Sequence, residues 1–164
     1  MFNILFICMG NICRSPSAEG FFARQLQGSS YADLISIDSA GTHSYHIGLP
    51  PDPRAIETAA QFDVQISQLR ARKVTATDFH DFDLMIAMDH SNLANLQAIR
   101  PAGSVAELRL MMAYHPENPT GRQTDEVPDP YYGGMDGFVH MFKLLELATA
   151  GLLKDVEGRF NHES

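Results

Sequence analysis

The chain has 164 residues, 45% of them apolar, which suits a single domain over residues 1–164 with a core of its own. Twenty acidic residues against twelve basic ones give a net charge of −8, which argues against nucleic acid or a membrane surface as partner. The two cysteines form no disulfide framework, no basic leader precedes the first strand, and no apolar run nears the ~20 residues that cross a bilayer, so a cytoplasmic location is expected.

The run Phe2 to Ile7 is almost wholly apolar, as expected of a strand covered on both faces in a parallel sheet. The stretch Cys8-Met9-Gly10-Asn11-Ile12-Cys13-Arg14-Ser15 then makes a tight loop before a helix expected to begin at Pro16, with Ser15 as its N-cap. Gly10 and Asn11 can adopt the left-handed conformations that turn successive N–H groups inward. A helix N-terminus adds unpaired donors and a dipole that favours an anion, and Arg14 brings a fork that grips two phosphate oxygens. The Cys8 thiol, set among these groups, is held as a thiolate and becomes a nucleophile for phosphorus. The bland alternative is a small buried cysteine ending a core strand, and the joint placement of Gly, Asn, Arg, Ser and Pro weighs against it.

Ala18, Phe21, Phe22 and Leu26 fall at helical spacing, and the polar stretch Gly28-Ser29-Ser30 ends that helix. Leu34 to Ile37 reads as a second strand, followed by loop over residues 39–53. Asp52 can cap a helix with Pro53 at its first position, running to about Phe62 with Ile56, Ala59 and Ala60 inward. Asp83 to Met88 gives a third strand, Asn92 to Ile99 a helix stopped by Pro101, and Val105 to Leu110 a weaker fourth strand. Residues 112–130, with Pro116, Pro119, Gly121, Pro128 and Pro130, form a loop too long to be idle. The last helix, about Met135 to Lys154, aligns Phe138, Met141, Phe142, Leu145, Ala148 and Leu152 as a core stripe. Strands alternating with helices imply an α/β fold, a parallel sheet covered on both faces with its ligand at the carboxyl ends of the strands, where the Cys8 loop falls.

Displacing an alkoxide or phenoxide from phosphorus needs a proton for the leaving oxygen, and a placed carboxylic acid contributes roughly 10²–10⁴ in rate. Asp129 is a candidate: Pro128 and Pro130 stiffen its backbone, and Tyr131 and Tyr132 follow as apolar walls. Asp125 and Glu126 are rival acids nearby, and the residues alone do not rank them. His43 and His46 have ligand-like spacing without a second pair, so no metal is expected and both read as solvent-facing loop histidines. Arg70 and Arg72 read as a solvated face.

The order C-x5-R-S after an N-terminal strand, joined to Val127-Pro128-Asp129-Pro130-Tyr131-Tyr132-Gly133 near the C-terminus, resembles the low-molecular-weight protein tyrosine phosphatases. Asp38-Ser39-Ala40-Gly41-Thr42, Pro51-Asp52-Pro53-Arg54-Ala55, Ile66-Ser67 with Arg70-Ala71-Arg72, and Met88-Asp89-His90-Ser91-Asn92 are similar to that family's intervening segments, in its order. The resemblance covers nearly the whole chain. It implies a flavodoxin-like three-layer sandwich, its four parallel strands ordered 2-1-3-4 with helices on both faces. It implies hydrolysis of phosphotyrosine and aryl phosphates through a cysteinyl-phosphate, with Cys8 as nucleophile, Arg14 as phosphate clamp and Asp129 as general acid and base, without metal or cofactor.

By the same resemblance Met9, Gly10, Asn11, Ile12, Cys13 and Ser15 form the phosphate-binding loop. Asn11, Ser15 and Ser39 hold it in shape, and the Ser15 hydroxyl aids the thiolate as a leaving group. Cys13 is implied to form a reversible disulfide with Cys8 under oxidation. Met9, Tyr45, Tyr131 and Tyr132 are implied to wall the substrate pocket, with Tyr45 where many members carry Trp; Tyr131 and Tyr132 also match phosphorylation sites of some relatives. This chain has Leu69 where a His is frequent before the Arg-Ala-Arg segment, which removes a loop-bracing hydrogen bond used elsewhere. The implied partner is a phosphotyrosine protein, with a tyrosine kinase as one candidate, and the implied state a monomer. Two other classes compete. An arsenate reductase relays oxidation through later cysteines, and none follows Cys13; a phosphotyrosine-binding module or redox sensor has no need of an acid at Asp129.

Overall fold

The structure, a computed structural model, describes residues 1–118 and 125–163. Its elements in chain order are β1 (Phe2–Cys8), α1 (Arg14–Leu26), β2 (Ile35–Gly41), α2 (Pro53–Gln61), α3 (Asp78–Asp81), β3 (Leu84–Ala87), α4 (His90–Ile99), β4 (Glu107–Leu110) and α5 (Met135–Glu163). The four strands pair in parallel in the order β2-β1-β3-β4. In this register Cys8, the last residue of β1, stands beside Gly41, the last residue of β2.

The apolar run of β1 is explained by what covers it. Ile4, Phe6 and Cys8 point into one cluster with Phe21 and Phe22 of α1, Ala55 and Ala59 of α2, and Phe138, Met141 and Phe142 of α5. Leu5 and Ile7 point the other way, with Phe79 of α3, Met85 and Ala87 of β3, and Leu96 of α4. Two buried faces need two apolar sets, so the strand cannot alternate apolar with polar. Three layers result. No helix among the described residues is long and apolar enough to cross a membrane.

Several local expectations shift. Helix α1 starts at Arg14 rather than Pro16, and Ser15 lies inside its first turn instead of capping it. Of Gly10 and Asn11, only Asn11 has positive φ, at 58°. Leu34 belongs to a short 3₁₀ turn, and β2 runs on through Gly41, turning residues 39–41 from expected loop into strand. Asp52 does cap α2, accepting from the Arg54 N–H at 2.9 Å, but Ala60 is exposed and Thr58 takes the inward place beside Ala55 and Ala59. Helix α4 begins two residues early because the Asp89 carboxylate caps it, accepting from the Asn92 N–H at 2.7 Å. Helix α5 continues past Lys154 to Glu163, where Phe160 packs on Phe2 and Tyr31. Within the expected long loop, residues 111–114 form a 3₁₀ turn that buries Met111 and Met112; Pro119 and Gly121 lie outside the described residues.

Candidate active site

The loop between β1 and α1 is stapled from both sides by backbone. The Cys8 and Met9 carbonyls accept from the N–H groups of Thr42 and His43 at 2.9 and 3.0 Å, and the Ile12 carbonyl accepts from the Asp52 N–H at 2.8 Å. At its centre Asn11 is buried, and its left-handed backbone is held by its own side chain. Asn11 Nδ2 donates to Ser15 Oγ at 2.8 Å and to Ser39 Oγ at 3.0 Å, while its Oδ1 accepts from the Arg72 N–H at 3.0 Å. Ser39 donates onward to Glu19 at 2.6 Å. The expected gap in this brace, Leu69, packs partly buried against the core, and the Arg72 backbone supplies a loop-fixing hydrogen bond.

Ser15 is missing as a cap because its hydroxyl is used elsewhere. It accepts from Asn11 and lies 3.0 Å from Cys8 Sγ, so its proton is free to point at the sulfur. Gly10 has no positive φ, and its bareness gives room to the His46 ring: a Cβ there would lie 2.9 Å from His46 Cδ2.

Arg14 is 3% exposed, and a buried guanidinium must be paired. Its Nη1 donates to Asp89 Oδ2 at 2.6 Å and to the Val127 carbonyl at 3.1 Å, and its Nη2 lies 3.7 Å from Asp129 Oδ2. Burial opposes its charge, but the facing Cys8 sulfur, Asp89 and Asp129 outweigh burial and raise its pKa. Asp89 orients the Arg14 guanidinium, a contact not expected from the sequence; its position just past β3, in the segment Met88-Asp89-His90-Ser91-Asn92, was the available signal.

The Asp129 side chain is about a third exposed, and its Oδ1 accepts from the Tyr131 N–H at 3.1 Å. The rival acids face elsewhere: Asp125 meets His90 Nε2 at 2.6 Å, and Glu126 accepts from the His90 N–H at 2.8 Å, both at the start of α4. Val127 is tied to the end of β3 by its N–H to the Met88 carbonyl at 2.8 Å.

These groups enclose a cleft of about 260 Å³, floored by Cys8, Met9, Gly10, Ile12, Cys13 and Arg14 and flanked by Asp129, Tyr45, His46, Tyr131 and Tyr132. The two loop histidines are partly rather than fully exposed. His43 stacks on Tyr45 with ring centroids 5.3 Å apart, and His46 lines the cleft, its ring 6.3 Å from that of Tyr131. Adjacency to Tyr45 was the only hint. Arg72 departs from the solvated-face reading as well, since it bonds Asp38 at 3.0 Å and Asp78 at 3.0 and 3.1 Å, whereas Arg70 is exposed. Cys8 and Cys13 are both free and buried, and burial, then Cys8, Asp52 and Asp129, push the Cys13 thiol far up, so it stays protonated. Among the described residues no group of three or more His, Cys, Asp or Glu could hold a metal ion.

A sulfur at the floor of an apolar-walled cleft, with a paired guanidinium and a carboxylate on its sides, is fitted to a phosphoryl group on an aromatic ring. Comparison with known proteins agrees. A Synechocystis relative is 44% identical over 92% of this chain and 94% of its own length. The low-molecular-weight phosphotyrosine protein phosphatase of Schizosaccharomyces pombe is 39% identical over 94% of this chain and 96% of its own. The crystal structure of a protein tyrosine phosphatase from Entamoeba histolytica, with Hepes in the active site, superposes with a TM-score of 0.89 at 35% identity, covering 96% of this chain and 98% of that one. The family model that matches residues 3–161 is described as low molecular weight phosphotyrosine protein phosphatase, and this chain belongs to that family.

Proposed function

We propose that this chain hydrolyses phosphotyrosine in proteins, and simple aryl phosphates, through a cysteinyl-phosphate on Cys8. The carrying observation is that Cys8, Arg14 and Asp129 line one cleft with aromatic walls, the guanidinium and carboxylate 3.7 Å apart. In the first step Cys8 Sγ forms a bond to phosphorus as the bond to the phenolic oxygen breaks, and Asp129 gives that oxygen its proton. In the second, Asp129 takes a proton from water as the water oxygen attacks phosphorus; the sulfur–phosphorus bond breaks, phosphate leaves and the thiolate returns. Arg14 and the loop N–H groups hold the equatorial oxygens through both steps. The Ser15 hydroxyl at 3.0 Å from Sγ steadies the departing thiolate. Met9, Tyr45, Tyr131 and Tyr132 receive the substrate ring, and Asn11 and Ser39 keep the loop in shape. Cys13, buried beside Cys8, is the partner for a protective disulfide under oxidation.

The same reading takes residues 1–164 as one catalytic domain, acting as a cytoplasmic monomer on phosphotyrosine proteins that include tyrosine kinases. Initial rates on matched phosphotyrosine and phosphoserine peptides, without added metal, test it. Turnover of phosphotyrosine alone is expected, abolished in Cys8→Ser and cut about 10²-fold or more in Asp129→Ala. Peptide binding without turnover in the wild type would instead make the protein a binding module or sensor.

A further inference from the structure

We infer that Arg54 is a positioning residue for the acid-bearing segment: one guanidinium ties Tyr131 and Gly133 to the phosphate loop and so holds Asp129 facing the leaving oxygen. The inference rests on the proposed role of Asp129.

Arg54 sits in the first turn of α2, next to its cap. Its Nε and Nη2 meet Asp52 Oδ1 and Oδ2 at 3.0 and 2.8 Å, a two-point fork that fixes the plane of the guanidinium. Asp52 is itself buried, and its N–H donates to the Ile12 carbonyl, inside the phosphate loop. From the other side of the fork, Nη2 donates to the Tyr131 carbonyl at 2.9 Å and Nη1 to the Gly133 carbonyl at 3.2 Å. The guanidinium also lies over two rings of the same region, 4.7 Å from the centroid of Phe138 and 5.6 Å from that of Tyr131.

The segment so held is anchored upstream at Val127, whose N–H and carbonyl are both bonded, and Arg54 anchors it downstream of Asp129. Residues 127–130 belong to no helix or strand, and residues 131–133 are turn and bend. Tyr131 is the link to the chemistry: its carbonyl accepts from Arg54 while its N–H donates to Asp129 Oδ1 at 3.1 Å. Displacing Tyr131 therefore turns the carboxyl group and moves a wall of the cleft together. The ion pair between the partly exposed Arg54 and Asp52 would not by itself hold residues 131–133, but a fork that spends its remaining donors on two backbone carbonyls restricts geometry. Lysine, a point charge on a flexible stem, cannot make those contacts in one plane.

The test compares two aryl phosphates in the full-length chain. A phosphotyrosine peptide has a weakly acidic leaving phenol and needs the proton; 2,4-dinitrophenyl phosphate has a strongly acidic one and leaves without it. Arg54→Met, which keeps an unbranched apolar side chain and removes the guanidinium, is expected to lower kcat/KM for phosphotyrosine about ten- to a hundredfold, and for the dinitrophenyl ester by less than about threefold. Arg54→Lys is expected to rescue only part of the loss. In an Asp129→Ala background, Arg54→Met is expected to add no more than about twofold, because the group it positions is gone. Equal losses on the two substrates, an undiminished effect without Asp129, or wild-type rates in Arg54→Met would each overturn the inference. If Arg54→Met does not fold, Arg54→Lys carries the same cycle. A wild type that fails to hydrolyse phosphotyrosine is a separable result, since it overturns the role of Asp129 itself.

Discussion

Gly41→Ala is the most local probe of the phosphate loop, because it adds one methyl group outside the cleft and touches no catalytic side chain. A Cβ at Gly41 would lie 2.7 Å from the Met9 carbonyl oxygen, 3.2 Å from the Asn11 nitrogen and 3.2 Å from the Gly10 carbonyl carbon. All three atoms are backbone, so no rotamer change relieves the contact. Gly41 cannot retreat either: its N–H donates to the Arg72 carbonyl and its carbonyl accepts from the Val74 N–H, each at 2.8 Å. Reaching the 3.4 Å of ordinary contact takes about 0.7 Å of loop movement. Overpacking of this kind costs about 2 kcal/mol, which lowers Tm by about 4–8 °C in a chain of this length. A displacement approaching 1 Å at the phosphate-binding N–H groups lowers kcat/KM by about tenfold or more. Melting by circular dichroism and initial rates on a phosphotyrosine peptide read the two effects. Gly158→Ala is the control: nothing stands near its Cβ, and the helical position gains about 0.5–1 kcal/mol with unchanged rates. A Gly41→Ala protein with wild-type Tm and wild-type kcat/KM would refute the claim that close approach of β2 shapes the loop.

Other consequences are equally open to measurement. Phe142 is fully buried, with ring centroids 5.5 Å from both Phe21 and Phe62, so Phe142→Ala is expected to cost about 3–5 kcal/mol in denaturant unfolding; a loss under 1 kcal/mol contradicts the packing. The hydrogen bond and charge of Asp125 raise the His90 imidazole above its ordinary 6.5. A raised folded-state value means the pair stabilises the fold fully below pH of about 6.5 and fades as pH climbs through that higher value. An NMR titration of His90 is expected to centre above 6.5 and to fall back in Asp125→Asn; identical midpoints in the two proteins count against the pair. Because burial keeps Cys13 a protonated thiol, iodoacetate at pH 7 is expected to leave it unmodified in the folded protein, and a carboxymethyl group on Cys13 in the mass spectrum contradicts that.

Much of the fold was legible because its signals are local. The double-sided burial of β1 shows as an almost wholly apolar run, the α5 stripe as 3.6-residue spacing, and the start of α2 as Asp52 followed by Pro53. What escaped was decided by partners far along the chain. Ser15 has the composition of a cap, but Asn11 and Cys8 hold its hydroxyl inside the site. Arg72 looked like a solvated charge because Asp38, 34 positions away, meets it only where residues 72 and 73 run beside the end of β2. His46 lines the cleft with no motif of its own, and Asp89, though it lies in the segment Met88-Asp89-His90-Ser91-Asn92, meets Arg14 only across the fold. The roles proposed for Cys8, Arg14 and Asp129 came from the resemblance carried by two short motifs; that the residues share one cleft required the parallel sheet that brings residue 129 back to residue 14.

The central claim is that Cys8 carries the phosphoryl group during turnover. Rapid acid quench of the Asp129→Ala protein with 2,4-dinitrophenyl phosphate, whose phenol leaves without a donated proton, followed by mass spectrometry of the loop peptide, tests it most directly. Phosphate bound to Cys8 and accumulating in Asp129→Ala beyond its wild-type level is the expected result, since loss of the base slows release from sulfur. Steady hydrolysis of the ester with no phosphoryl group on Cys8 at any quench time would contradict the account.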